Sequence, residues 1–195
     1  MERVASGIVN KMMLAELIDD NEAASYKYGV QILLEKLISY AVIFGLALIL
    51  NRFLEVLLFF ISFSIIRKYS GGIHCRHFET CLIASTVVSF SGIALFSIAE
   101  MLNLAYQGVA IMSITIVFII GSVNNPNIDW NDSEFRKARR MSRLIVFFEG
   151  TVLLLLLLLR SPFSIRFYIS YGIIVSAISM LLEIRKKGGI AYEVS

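Results

Sequence analysis

The sequence predicts an all-α integral membrane protein with six transmembrane helices and both termini in the cytoplasm, preceded by an amphipathic N-terminal helical segment. Three observations support this prediction: the composition, the number of long apolar runs, and the uneven placement of lysine and arginine. Apolar residues make up 57% of the 195 positions, charged residues make up 17%, and the mean hydropathy is +0.77. Soluble domains contain about 45–50% apolar and about 25% charged residues. We therefore expect a single membrane domain over residues 1–195, with the lipid bilayer as a partner and no nucleic-acid partner.

Residues 1–28 predict an amphipathic helical segment rather than a secretory signal, because charged residues interrupt the stretch every few positions. Its apolar side chains Met1, Val4, Ile8 and Met12 recur at helical spacing beside polar ones. A helix lying flat on the membrane and a helix packed against the bundle both fit this pattern. We expect the chain to be mature protein along its whole length.

Six apolar runs follow, and each of them predicts a membrane span. They cover about 30–50, 53–66, 78–99, 104–123, 144–159 and 167–182. A span needs about 20 residues, and the second, fifth and sixth runs are shorter. We therefore expect those boundaries to shift by several positions, or those helices to be half-buried by their neighbours.

Lysine and arginine fall mostly on one side of the six predicted spans. Of the 18 such residues, one side holds only Arg52, Arg160 and Arg166, and Lys36 lies inside the first run. The other 14 lie in the N-terminal segment, in the loop 67–80, in the basic loop 124–143 and after the last span. Because cytoplasmic connections hold the excess of positive charge, the loops 67–80 and 124–143 are predicted to be cytoplasmic.

The stretch GGIHCRHFETC, residues 71–81, contains both histidines and both cysteines of the chain. The pair Gly71 and Gly72 allows a sharp turn at the end of the second span. Cys81 is expected near the N-terminus of the third helix, where amide groups and the nearby Arg76 favour a thiolate. Cys75 has no such support and is interpreted as a small packing residue.

A cysteine nucleophile needs a general base, normally a histidine, within about 3 Å. His77 lies four residues before Cys81 and would share a helical face with it, whereas His74 reaches Cys81 only if the glycine turn returns its ring. A zinc site made of His74, Cys75, His77 and Cys81 is the alternative. It is less favoured because tetrahedral sites usually draw their ligands from two separated pairs.

These residues resemble the motif of the accessory gene regulator B (AgrB) family, which comprises membrane endopeptidases of Gram-positive bacteria. The matching positions are Arg67, Gly71, Gly72, His74 and Cys81. The resemblance extends over nearly the whole chain, and it implies that His74 and Cys81 are the catalytic pair. His77 and Cys75 are then bystanders, and no metal or other cofactor is implied.

The resemblance also implies the substrate and the reaction. Cys81 would form an acyl-enzyme thioester with a pheromone precursor (AgrD-like), releasing its C-terminal tail, and a substrate cysteine or serine would close a thiolactone or lactone ring. Family precursors have an acidic tail, which basic residues of the loop 124–143 could hold by charge-assisted hydrogen bonds. These residues are Arg136, Lys137, Arg139, Arg140 and Arg143. Their alternative role is to set the topology and contact anionic lipids.

Further roles stay open in the sequence. Glu79, close to Cys81, and Glu149, inside the fifth run, are candidates for a third catalytic residue. Glu35, Glu55 and Glu149 could instead line the pathway of a small six-span transporter or exporter, which is the main rival. A metal-dependent membrane protease is a further rival. Small residues on one face of the third run, Ser85, Ser89 and Gly92, favour close helix packing and a possible homodimer.

Overall fold

The computed structural model describes residues 2–73, 78–124 and 130–188, with side chains as far as Lys186. The described residues form seven α-helices. They are α1 (Glu2–Leu14), α2 (Ala23–Ile49), α3 (Phe53–Ser70), α4 (Phe78–Met101), α5 (Asn103–Ile120), α6 (Asp132–Leu158) and α7 (Phe163–Gly188). The chain divides into two compact units, residues 1–51 and residues 52–195.

The first unit consists of α1 packed against α2. Ala5 and Val9 are buried, whereas Val4 and Ile8, from the stripe that the sequence pattern singled out, are exposed. The Glu2 carboxylate accepts a hydrogen bond from Lys27 Nζ at 2.8 Å. This bond, together with the attraction of the ammonium charge, lowers the pKa of Glu2. The helical prediction for residues 1–28 is confirmed over Glu2–Leu14, whereas α2 already begins at Ala23. The exposed side chains of Val4 and Ile8 fit a helix at a membrane surface.

Helix α7 is the centre of the second unit. Most of its apolar length is buried, whereas the other candidate spans are largely exposed, as expected for helices that face lipid. One core cluster surrounds Ile173, Ala177 and Met180, and an aromatic cluster surrounds Phe167 and Tyr171. Each of the helices α3, α4, α5 and α6 contacts α7. The sixth predicted span is therefore the hub of the bundle, which explains why it is long as a helix although its apolar run is short.

The contacts of α3 and α4 with α7 define the helix directions. Ser62 of α3 lies against Gly172, and Arg67, further along α3, lies against Ser179, further along α7. Helix α3 therefore runs parallel to α7. Helix α4 runs the opposite way, because its contacts move from Tyr171 towards Phe167 as its own numbering rises from Gly92 to Phe96.

The order of the contacts along each helix also shows that α5 runs parallel and α6 antiparallel to α7. The second unit therefore has two ends. We call the end that holds Gly71, Gly72 and Ser179 the turn end, and the end that holds Arg52, Arg160 and Arg166 the far end. This alternation of direction is what successive membrane crossings produce.

Within the part of the chain that the structure describes, five helices are long and apolar enough to span a membrane: α2, α4, α5, α6 and α7. Helix α3, the second predicted span, is 18 residues long and includes Glu55, Arg67 and Lys68. Because of these three charges α3 is not among the five apolar candidate spans, although it runs parallel to α7. The all-α prediction is confirmed for the described residues.

The prediction of a basic loop over residues 124–143 is wrong for its second half. Helix α6 begins at Asp132, well before the predicted start of the fifth span near residue 144. Asn131 and Glu134 form a capping box, in which each side chain accepts a hydrogen bond from the backbone N–H of the other residue. This pattern is a sequence signal for a helix start. The five basic residues, which follow it, therefore lie on α6.

Candidate active site

Gly71 and Gly72 form the sharp turn that the sequence predicted. Their φ angles are +70° and +109°, a backbone region that favours glycine. A Cβ at Gly71 would collide with the carbonyl oxygen of Val123, and a Cβ at Gly72 would lie 2.8 Å from Ser179 Oγ and collide with the Arg67 guanidinium. Neither position therefore accommodates a side chain, because of the backbone angle and because of the neighbours.

Arg67 holds this turn against α7. Its guanidinium donates hydrogen bonds to Gly71 O at 2.7 Å, to Ile73 O and to Ser179 Oγ. The backbone N–H of Ile73 donates to Ser179 O at 3.3 Å. We call this set, Arg67, Gly71, Gly72, Ile73 and Ser179, the turn clamp. It fixes the chain as far as Ile73, the residue that precedes His74.

The segment after α5 supports the turn from the other side. Gly71 and Val123 form a parallel β-bridge, and Val123 N donates to Ser70 O at 2.8 Å. The Ser122 hydroxyl donates to Tyr69 O. These bonds satisfy carbonyl groups in the last turn of α3 that would otherwise lack partners. Predicted span four accordingly ends at Ile120 rather than 123.

Cys81 lies in the first turn of α4 and is half-buried. The first amide N–H groups of a helix have no partner within it, and they place partial positive charge near this thiol. Cys81 precedes Ser91 by ten residues on α4, and Ser91 Oγ lies 2.7 Å from Tyr171 OH on α7. At 1.5 Å per residue, Cys81 is about 15 Å from that contact towards the turn end, where Ser179 and the turn clamp also lie.

Residues His74, Cys75, Arg76 and His77 lie outside the described residues. The choice of imidazole and the role of Cys75 therefore stay predictions. Among the described residues, no group of three or more His, Cys, Asp or Glu side chains has the arrangement of a metal site. Glu79, a predicted candidate for a third catalytic residue, is exposed in the first turn of α4.

Four arginines of α6 lie at the turn end beside a cavity of about 310 Å³. They are Arg136, Arg139, Arg140 and Arg143. The exposed apolar side chains Leu144 and Phe147 of α6 and Phe118 of α5 line the same cavity. Arg143 also closes the C-terminus of α5, because its guanidinium donates to Phe118 O and Ile119 O at 2.9 Å each. Lys137 is exposed but does not line the cavity.

A sequence model of the family described as Accessory gene regulator B matches residues 2–184. The chain belongs to the accessory gene regulator B family. An AgrB-like protein of Clostridium perfringens (strain SM101 / Type A) is 35% identical over 85 residues, which is 43% of this chain and 40% of that protein. A second, from C. perfringens (strain 13 / Type A), is 30% identical over 117 residues, 60% of this chain and 54% of that protein.

An AgrB-like protein of Listeria monocytogenes serotype 4a (strain HCC23) is 23% identical over 163 residues, 84% of this chain and 77% of that protein. The chain thus spans about half the length of the two clostridial relatives it matches. No solved structure matches the chain. Membership in the AgrB family, together with the five candidate spans among the described residues, supports a multi-pass membrane protein.

In this AgrB-family chain, Glu149 does not pair with Arg143 or turn to the surface. It is buried within α6 and lies 2.6 Å from Ser62 Oγ of α3, which in turn lies 2.9 Å from Ile169 O of α7. A lipid-facing cleft of about 400 Å³ adjoins this contact. Glu149 therefore connects three helices, about 9 Å along α6 from Arg143. Nothing in these contacts brings it to Cys81.

The sequence reasoning missed Ser179 and Glu183. Both lie on one face of α7 a single turn apart, and Glu183 is 2% exposed. Its Oε2 atom has no hydrogen-bond partner among the described residues. Glu183 stands just before the basic residues Arg185 and Lys186. In the sequence it therefore looks like part of the polar end of a span, and its burial was not predicted. Ser179 gave no signal because a serine inside an apolar run is ordinary.

The small-residue face of α4 is used within the chain. Ser89 and Gly92 are buried, and a Cβ at Gly92 would lie 3.0 Å from the Tyr171 ring. The close helix approach predicted from these residues is confirmed, with α7 as the partner. The argument that this face favours a homodimer therefore no longer holds.

Proposed function

We propose that this AgrB-family chain is a membrane-embedded cysteine endopeptidase that removes the C-terminal tail of a quorum-sensing pheromone precursor (AgrD-like). After tail removal it promotes thiolactone or lactone closure of the remaining peptide. Cys81 is the nucleophile and His74 the general base. The observation that carries the proposal is the turn clamp, which fixes the chain up to Ile73 at the end of the bundle where the first turn of α4 holds Cys81.

The first step transfers the Cys81 proton to His74, and the thiolate attacks a backbone carbonyl carbon of the precursor. The amide groups at the start of α4 are suited to stabilise the negative charge that develops on the carbonyl oxygen. The C–N bond then breaks, and His74 returns its proton to the leaving amine of the tail. A thioester between the peptide and Cys81 remains.

The second step is an exchange of acyl groups. A cysteine thiol of the substrate loses its proton to His74 and attacks the thioester carbonyl. The bond to Cys81 breaks, its sulfur regains the proton, and a thiolactone leaves. A substrate serine would give a lactone by the same route. Water must be excluded to protect the thioester, and a site at the membrane surface favours that exclusion.

The proposal places both termini, the turn end and the active site in the cytoplasm, with α2 to α7 as six spans. The described cations of the second unit support this orientation, because Arg67, Lys68, the basic start of α6, Arg185 and Lys186 all lie at the turn end. Only Arg52, Arg160 and Arg166 lie at the far end. Helix α3 serves as the second span because it runs parallel to α7 over most of its length, despite its three charges.

The acidic tail of the precursor is proposed to bind the arginine face of α6. Arg136 and Arg140 are exposed and line the cavity, so they are free to bind carboxylates in the bidentate geometry that guanidinium groups favour. Arg143 is engaged with the end of α5, so its contribution is to shape the cavity. Lys137 does not line the cavity and would contribute little.

The rival transporter reading has less support. Glu55 pairs with Arg52 at 3.0 Å at the start of α3, and Glu35 accepts a hydrogen bond from Gln31 on its own helix. Glu149 is bonded to Ser62. Each of the three acids that could have lined a pathway is thus engaged by another side chain, and none of these contacts joins two of them.

The deciding experiment co-expresses the chain with a candidate precursor encoded nearby and measures the product by mass. We expect loss of the C-terminal tail, a peptide adduct on Cys81, and no processing by Cys81→Ala. Cys75→Ala is the matched control and should process normally. Normal processing by Cys81→Ala would exclude the proposed nucleophile, and comparing His74→Ala with His77→Ala assigns the base.

A further inference from the structure

The far end of the second unit holds a cavity that the proposed peptidase does not use. It has a volume of about 150 Å³ and lies between α5, α6 and α7. Tyr106, Gln107, Ser170 and Arg166 supply its polar lining, and the rest is aliphatic or aromatic. Arg166 precedes Ser179 by 13 residues on α7, so the cavity lies about 20 Å from the turn clamp along the helix axis.

Arg166 contributes to this lining a buried donor atom for which the described residues supply no acceptor. Its Nε atom is buried and has no hydrogen-bond partner among the described residues. Its guanidinium lies 5.7 Å from the Phe163 ring centre, and among the described residues it takes part in neither of the two salt bridges. A buried donor of a charged group is costly to leave unpaired, so an acceptor is expected there.

The other polar groups of the lining are satisfied within the protein. Tyr106 OH lies 2.8 Å from Ser170 Oγ and donates to Phe167 O at 3.0 Å, and Gln107 Nε2 donates to Asn103 Oδ1 at 2.8 Å. The unmet requirement of the cavity is therefore for negative charge at the guanidinium. Phosphate and carboxylate groups both satisfy a guanidinium well.

The aliphatic side of the cavity indicates what kind of molecule brings that anion. Ile111, Leu154 and Leu157, which line it, are also exposed on the surface of candidate spans. In a bilayer those side chains contact acyl chains. The volume is roughly ten times the ~10–15 Å³ that a cavity needs to hold one water molecule, which is enough for a head group but not for a folded peptide. A ligand with an anionic head group for Arg166 and a hydrocarbon chain for the aliphatic side of the cavity is a phospholipid.

We propose that this cavity is a phospholipid site in the leaflet at the far end, with the lipid phosphate on Arg166 and an acyl chain along Ile111 and Leu154. The site is independent of the peptidase chemistry. The lipid would join α6 to α5 and α7, which are already joined there by the contacts of Tyr106 with Phe167 and Ser170.

The test measures the melting temperature of purified full-length protein in a neutral detergent, with phosphatidylglycerol, with inorganic phosphate, or with a diacylglycerol that lacks phosphate. We expect phosphatidylglycerol alone to raise the melting temperature. Arg166→Gln should reduce its affinity at least tenfold, whereas Arg160→Gln, which removes an exposed cation at the same end, should not. Equal responses of the two variants would overturn the proposal.

Two further arms keep the test decisive. Ala110→Leu fills the lining while retaining Arg166, and it should weaken the phosphatidylglycerol response even if Arg166→Gln does not fold. If inorganic phosphate stabilises the protein as well as the lipid does, or diacylglycerol does so without phosphate, the lipid assignment is wrong. Peptide processing is measured in parallel, so failure here is separable from failure of the proposed function.

Discussion

Helix α3 meets α7 through a glycine at two levels, and the two contacts have different consequences. At mid-span, Gly172 of α7 accommodates Ser62, whose hydroxyl also reaches Glu149 and Ile169. At the turn end, Gly72 accommodates Arg67 and Ser179. Both sites are crowded and polar. The first joins three helices, whereas the second fixes the chain as far as Ile73.

The difference teaches where polar residues of a membrane protein serve folding and where they serve a site. The mid-span contact surrounds each polar atom with helices that are already packed, so losing it loosens the bundle. Gly71, Gly72 and Ile73 of the turn clamp lie after the last residue of α3, so losing their contacts frees the chain before His74 and leaves the helix cores intact. Stability and activity should therefore separate between the two glycines.

The largest effect on activity is expected for Gly72→Ala. The new methyl group would collide with the Arg67 guanidinium and lie 2.8 Å from Ser179 Oγ, at a φ of +109°. A misplacement of about 1 Å in a catalytic constellation can cost about 100-fold in rate, so tail removal should fall by at least about that factor. Processing is measured by mass at matched expression. Gly108→Ala, where a Cβ meets nothing within 4 Å, is the control, and equal rates would show that the clamp is dispensable.

Gly172→Ala should act on stability instead. Its Cβ would lie 2.7 Å from Ser62 Oγ and 2.9 Å from the backbone nitrogen of Phe63. Overpacking of this kind costs about 1–3 kcal/mol. A lower melting temperature in detergent, with processing per folded molecule retained, is the expected result. If Gly172→Ala abolished processing without altering the melting temperature, the separation of the two levels would be wrong.

The features of the fold and the site that could be predicted from the sequence are those determined by residues close together in the chain. The six helices after α1, the turn at Gly71 and Gly72, and Cys81 near a helix start follow from hydropathy and local backbone preferences. The contact between Arg67 and Ser179 could not be predicted, because the two residues are 112 positions apart and no sequence periodicity relates them. The sequence analysis missed the start of α6, because it interpreted the basic residues as a loop. Asn131 and Glu134, which form the capping box, were the signal for this helix start.

The arginine face of α6 gives a smaller expected effect, confined to substrate binding. Changing Arg136 and Arg140 together to Gln should raise the KM for a precursor with an acidic tail by about fivefold, because exposed ion pairs contribute less than about 1 kcal/mol each. The kcat should change little, and added salt should reduce the difference. Lys137→Gln is the matched control. An equal KM increase in the control would mean that net charge, not the cavity, is recognised.

Glu149→Gln should change little, and this prediction separates a structural acid from a transport acid. Ser62 has one hydroxyl proton for two acceptors, Glu149 Oε2 and Ile169 O, so a side chain that donates at position 149 satisfies both. We expect a stability change under about 1 kcal/mol and normal processing, whereas Glu149→Ala should cost about 1–3 kcal/mol. A severe loss of function in Glu149→Gln with an unchanged melting temperature would favour the transporter reading.

The smallest expected effect lies in the first unit, where exposure limits what a charge pair contributes. Lys27 donates to Glu2 and lowers the pKa of Glu2 from its ordinary value of 4.5. A lowered pKa in the folded state means that the stabilisation is present above pH 4.5 and is lost as the pH falls through the lowered value. Amide hydrogen exchange of α1 should therefore be slightly faster in Glu2→Gln than in the unmodified chain at pH 7, and the difference should vanish at strongly acidic pH. Glu16→Gln removes an exposed acid of the same unit and should leave exchange unchanged. A difference that persists in strong acid would assign the effect of Glu2→Gln to helix propensity rather than to the ion pair.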